Sequence, residues 1–349
     1  MKNINNRILS LDITRIVAVL AVVMIHSSAR FITESKTAYE FTAGNIFDTI
    51  ARIGVPLFIM ISGALMLDEN RNISIQHLFK KNIKNLILLL IFWSAIYASI
   101  YYVILPSMNH KEINIKDIII AFINGHIHLW YLYMIIGLYM ITPFLRCFVC
   151  VKNKNLVLLF IFISLLTQFT LPVIQEITLF KESFGILSRF LNKFYLNFFG
   201  GFTTYYLTGW YIICVGFNKT WEKIGIYFSS ILSILITFLY VQFTHDYNNG
   251  YSNTNIFVFL YSTGAFYTLN KCAHIKSKKI ENIIILLSNL SFGVYIVHLI
   301  IRTVFEYTVP YSKMPFLYIL IKFLTIYILS LIFTYIASKL PIIKKTIRM

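Results

Sequence analysis

A cation and an imidazole lie inside one apolar run near the start of the chain: Arg15 and His26, within 11–28. On an α-helix the eleven-residue step between them turns about 1100°, some 20° past three full turns, and rises about 16 Å. The two side chains therefore leave the same face. Asp12, three positions before Arg15, falls close to that face and is placed to hold the guanidinium. Each residue alone has a plain account, in which Arg15 reaches the headgroups at one end and His26 those at the other. Their shared face favours a joint role. A guanidinium binds phosphate or carboxylate, and a neutral imidazole takes up a proton or attacks a carbonyl.

Further ionisable residues accompany later apolar runs. Arg52 opens Arg52-Ile-Gly-Val-Pro-Leu-Phe, His128 opens His128-Leu-Trp-Tyr-Leu, and His298 closes Ser291-Phe-Gly-Val-Tyr-Ile-Val-His298. Following the chain up and down through a bilayer brings all three to the depth of His26. A charged side chain inside a span costs roughly 2.5–3.5 kcal/mol on insertion scales, so such a gathering calls for a function. His77, His110, His245 and His274 fall in polar loops. His126 and His128 have the spacing of a metal pair, but no carboxylate or thiol stands at ligand spacing, so no metal is expected. Cys147 and Cys150 have redox spacing without a second pair and read as filler. Trp130, Tyr131, Tyr133, Tyr205, Tyr206 and Trp210 suit an interfacial aromatic belt.

Only spanning helices can position these groups. Of 349 residues 58% are hydrophobic and 13% charged, about half the charge of a soluble protein. Apolar runs recur near 11–28, 47–67, 84–105, 129–149, 155–174, 200–217, 224–244, 255–271, 283–301 and 316–340. None alternates like a barrel strand. The expectation is an all-α polytopic membrane protein of about ten helices, forming a single domain over 1–349. With the N-terminus inside, the inner segments hold about twice as many lysines and arginines as the outer ones, among them Arg71, Lys80, Lys81 and Lys84. Both termini are therefore expected in the cytoplasm. The same asymmetry accounts for the net charge of +17 without nucleic acid as a partner. The first run has the flanks of a signal peptide, but Asp12 and Arg15 interrupt it and further runs follow, so it reads as a retained helix. Gly54, Pro56 and Gly63 allow close helix approach beside Arg52.

Four segments, in order, resemble the bacterial acyltransferase-3 family of integral membrane acyltransferases: Arg15 and His26 with ten residues between them, the Arg52 segment through Gly63, the His128 segment through Pro143, and the Ser291–His298 segment. Within that family the chain is similar to enzymes that O-acetylate surface polysaccharides, of the enterobacterial-common-antigen acetylase type. The resemblance implies acetyl-CoA as cytoplasmic donor and a hydroxyl of a surface polysaccharide or lipid-linked sugar as acceptor. It places the protein in the cell inner (plasma) membrane, among its lipids. It carries catalytic importance to His26 and Arg15, with Arg52, His128 and His298 in support, and donor binding to Arg15 and Asp12. Some relatives append an extracytoplasmic domain; none is expected here, which puts the chemistry inside the bundle. His26 is then either a general base or a covalent acetyl carrier.

The competing class is a transporter or flippase for polysaccharide or lipid-linked sugar, which also places ionisable groups within a bundle. Internal repeat symmetry and paired broken helices are its signature, and neither is evident in the sequence.

Overall fold

The computed structural model describes residues 7–340, 346 and 347, except 72, 177–199, 218, 272–274, 276 and 313. His274 and most of the segment between the fifth and sixth apolar runs lie outside the described residues. Every regular element described is helical, and no strand occurs among the described residues.

Among the described residues seven stretches are long and apolar enough to cross a membrane: Leu9–Thr33, Ala38–Met66, Ile75–Met108, Val151–Ile174, Thr220–Thr244, Lys278–Thr308 and Pro315–Ala337. The other three predicted runs are also helical but shorter. They are Trp130–Arg146 of 17 residues, Gly201–Trp210 of 10 residues continued by a π-turn over Tyr211–Val215, and Ile256–Lys271 of 16 residues. Each falls short of the roughly 20 residues a perpendicular crossing needs.

In chain order, α1 is Leu9–Ser28, α2 Ala38–Ala51 and α3 Gly54–Met66. They are followed by α4 (Ile75–Met108), α5 (Ile115–Asn124), α6 (Trp130–Arg146) and α7 (Val151–Ile174). The last five are α8 (Gly201–Trp210), α9 (Thr220–Thr244), α10 (Ile256–Lys271), α11 (Lys278–Thr308) and α12 (Pro315–Ala337). Helix α1 packs against α2, α3, α10, α11 and α12. Its apolar residues run almost all round, and Ala18 and Val23 are wholly buried.

The second predicted span is not one helix. Proline 56 has no N–H for the Arg52 carbonyl four residues back, and its ring crowds that carbonyl. The helix accordingly breaks at Arg52 and Ile53, between α2 and α3. One broken helix therefore exists where none was evident in the sequence.

Glycines bring α3 and α8 together. A Cβ on Gly63 would overlap the Tyr206 carbonyl, and one on Gly209 the Met60 carbonyl. The close approach expected at Gly63 is present, with α8 as the partner. It also corrects the aromatic belt. Tyr205, Tyr206 and Trp210 are fully buried in the core, because the α3 backbone lies against theirs. The outward faces are apolar instead: Phe228, Ile231 and Phe243 on α9, and Ile332, Phe333 and Ile336 on α12, are exposed. Such a surface suits hydrocarbon and not water.

Candidate active site

At the start of α1 a buried carboxylate collects cations. Asp12 takes Arg7 Nε at 2.6 Å and Arg7 Nη2 at 2.9 Å on its two oxygens, and Ser288 Oγ donates to Oδ1 at 2.6 Å. Arg15 Nη1 lies 3.6 Å from the same oxygen and donates to Ser288 Oγ at 3.3 Å. Asp12 therefore steadies Arg15 as expected, but it is shared, and Arg7 makes the closer pair. Arg7 also donates to Asn289 Oδ1 at 2.9 Å, which ties the start of α1 to α11. Two guanidinium groups on one carboxylate leave a net positive site. The remaining N–H groups of Arg15 meet no described hydrogen-bond acceptor.

Arg15 lines a cavity of about 340 Å³ between α1, α3, α6 and α11, with Phe58, Ser62, Tyr131, Tyr139 and Tyr295 on its walls. A guanidinium about a third exposed, on the wall of a mainly apolar cavity, fits an anionic group attached to a slender organic arm.

At the other end of α1 three histidines meet. His26 is half-buried, while His128 and His298 are almost fully buried. The rings of His26 and His298 are 5.1 Å apart, and those of His128 and His298 are 5.4 Å apart. The gathering expected of His26, His128 and His298 is thus present. His126 joins it, its Nδ1 lying 3.2 Å from His128 Nδ1.

Carbonyl partners fix the proton positions of the buried rings. His298 Nδ1 lies 2.6 Å from the Tyr295 carbonyl and must donate to it, which leaves Nε2 as a bare lone pair. That Nε2 is buried without a hydrogen-bond partner. His128 Nε2 donates to the Ile296 carbonyl at 3.2 Å, so its Nδ1 accepts from His126. Tyr97 Oη donates to the same Ile296 carbonyl at 2.6 Å, and its ring stacks on His126 at 4.6 Å. His26 makes no hydrogen bond to a described residue. The cluster therefore offers three imidazoles, His26, His126 and His298, with nitrogen lone pairs that no described donor occupies.

Arg52 stands beside this cluster rather than within it. It pairs with the buried Asp48 and lies over the Tyr251 ring at 4.4 Å. It makes no hydrogen bond to any of the three histidines, although its charge reaches His26. The expected helix 283–301 extends to Thr308 as α11, so Arg302, just past the expected end, sits one turn beyond His298. Arg302 Nε donates to Glu306 Oε1 at 2.9 Å, and Lys322 Nζ donates to the same oxygen at 2.5 Å. Lys322 is 1% exposed, so Glu306 is the counter-ion that lets it stay inside. Among the described residues no group of three or more His, Cys, Asp or Glu is arranged to hold a metal ion.

The model of the acyltransferase-3 family, described as an acyltransferase domain, matches residues 8–338. The chain belongs to that family. No curated protein and no solved structure matches it.

In this acyltransferase, helix α1 carries both ends of the candidate site, which follows from the spacing of Arg15 and His26. Arg7, Arg302 and Tyr295 have roles that the sequence did not assign, and His126 entered only as half of a metal pair. Arg302 had a signal: Arg302 and Glu306 have the four-residue spacing of a helical ion pair, and Lys322 in mid-helix demands an acid. Arg7 and Tyr295 had none, because their partners come from tertiary packing. His77, His110 and His245 are exposed, away from the cluster.

Proposed function

We propose that the chain is a membrane O-acetyltransferase, a single catalytic domain of the inner (plasma) membrane. It moves acetyl from cytoplasmic acetyl-CoA to a hydroxyl of an extracytoplasmic polysaccharide or lipid-linked sugar. One observation carries the reading. A single buried helix presents a guanidinium to a cavity at one end and an imidazole to a cluster of imidazoles at the other, about 16 Å away.

In this reading Arg15, held by Asp12, takes an anionic group of coenzyme A, and the pantetheine arm lies in the cavity. His26 works in one of two ways. As a general base it removes the acceptor hydroxyl proton while the oxygen attacks the thioester carbonyl. The carbon–sulfur bond then breaks and the thiolate recovers that proton. As a nucleophile it first takes the acetyl group on nitrogen, releasing the thiol, and the hydroxyl then displaces imidazole. Either route ends with an acetyl ester and free coenzyme A. The positive charges of Arg302 and Arg52 nearby favour the negative oxygen that develops at the carbonyl.

The test is acetyl transfer in reconstituted vesicles. His26→Ala should abolish turnover while the protein still inserts and purifies normally. Arg15→Ala should raise the KM for acetyl-CoA about tenfold or more, the loss of roughly one charge-assisted hydrogen bond. A transporter or flippase would consume no thioester, and normal turnover by His26→Ala would remove the histidine from the mechanism.

A further inference from the structure

The Arg15 cavity does not reach the histidines. Three aromatic rings on its wall touch one another, and one of them, Tyr295, also touches the cluster. Tyr131 and Tyr295 have centroids 5.6 Å apart, Phe58 and Tyr131 5.9 Å, and Phe58 and Tyr295 6.4 Å. All three line the cavity, whereas His26, His128 and His298 do not. The far side of Tyr295 meets the cluster, its ring 5.5 Å from that of His128 and 6.2 Å from that of His298.

Tyr295 is also fastened to the cluster. Its hydroxyl donates to the His128 carbonyl, and its own carbonyl accepts from His298 Nδ1. One residue thus forms the wall of the donor cavity, bonds the loop that carries His128, and sets the tautomer that leaves His298 Nε2 bare. The bond from His298 involves only the backbone of Tyr295 and survives motion of its side chain. The hydroxyl bond does not. Turning the Tyr295 side chain breaks that one bond and removes the ring that, among the described residues, alone touches both cavity and cluster.

We propose that Tyr295 is a gate and positioning residue: its ring seals the Arg15 cavity from the histidine cluster, and its release from the His128 carbonyl joins the two. The inference rests on the acetyl-transfer reading for its purpose but not for its geometry. Closed, the seal keeps water on the acceptor side from reaching a thioester in the cavity. Open, it lets the thioester carbonyl meet His26. Phe58 and Tyr131 hold the ring edge-on from the other side, where such pairs contribute about 1 kcal/mol each.

The experiment reads access first and chemistry second. In a protein whose native cysteines are serine, a cysteine replaces His26, and a membrane-impermeant thiol reagent is added to either face of sealed vesicles. In the parent, labelling is expected from the His26 face alone. With Tyr295→Ala, labelling is expected from both faces. Tyr295→Phe keeps the ring and removes only the hydroxyl, so labelling from the Arg15 face should quicken about fivefold, the factor set by one net hydrogen bond. Labelling of the parent from both faces, or Tyr295→Ala and Tyr295→Phe remaining sealed, would overturn the gate.

The second readout uses the native His26 protein. Tyr295→Ala should hydrolyse acetyl-CoA to acetate and free coenzyme A without acceptor, at least tenfold faster than the parent. Sealing that opens as described with no thioester consumed by any variant would uphold the gate and refute the acetyl-transfer reading. Thioester consumption with access unchanged would do the reverse.

Discussion

The ion pair beneath the histidine cluster yields an asymmetric prediction. Lys322 is wholly buried with its ammonium 2.5 Å from Glu306 Oε1, while Arg302 holds the same oxygen at 2.9 Å and is about a third exposed. Glu306→Gln leaves the buried Lys322 ammonium without its acid. Breaking a buried pair from one side costs about 3–5 kcal/mol. We take about 3 kcal/mol, because glutamine still offers one acceptor oxygen. Lys322→Met removes the buried cation, and Glu306 keeps Arg302. That change should cost no more than about 1 kcal/mol, as for replacing a buried ion by an apolar side chain of similar length. The double variant should resemble Lys322→Met, giving a coupling energy of about 3 kcal/mol. Reversible unfolding in mixed micelles, followed through the tryptophan fluorescence, measures all four proteins. Equal losses for the two single variants would refute the reasoning, since they would show the pair acting by shape and not by charge.

Other predictions concern separate parts of the molecule. Gly63→Ala and Gly209→Ala each place a methyl group on a facing carbonyl, so each should lose several kcal/mol and yield little monodisperse protein on size-exclusion chromatography. Asp12→Asn should weaken acetyl-CoA binding by raising KM with kcat little changed, because Arg15 loses its anchor while the histidines are untouched; a fall in kcat alone would contradict this. His126, outside the spanning segments, has its pKa lowered from 6.5 to about 4 by desolvation and by Arg302. The unfolded chain therefore binds the extra proton between about pH 4 and 6.5, and stability should rise with pH across that window. His126→Gln should flatten the rise, and an unchanged slope would show that His126 is not the group involved.

Much of this was legible because a bilayer permits few solutions. Length and apolarity announce the helices, and the eleven-residue step from Arg15 to His26 fixes their common face before any packing is known. The break at Arg52 was not expected, although Pro56, which cannot serve the carbonyl four residues earlier, is its signal. What the chain could not disclose depends on neighbours brought in by folding. Tyr205, Tyr206 and Trp210 have the composition of an interfacial belt, and only the Gly63–Gly209 contact between α3 and α8 places them in the core. Arg52 was expected to join the histidines, but Asp48, one turn before it, and Tyr251, far along the chain, engage it instead. His126 was weighed as half of a metal pair, whereas its ring lies on Tyr97 and its Nδ1 faces His128. A hydrogen-bond tautomer such as that of His298 has no sequence signal at all.

The claim at the centre is that the acetyl group travels between the two ends of α1. The most direct measurement encloses labelled acetyl-CoA in proteoliposomes on the Arg15 side and supplies the glycan acceptor only on the His26 side. The account predicts labelled ester on the acceptor with wild-type protein and none with His26→Ala. Acetylation that requires donor and acceptor on the same side of the bilayer would contradict it.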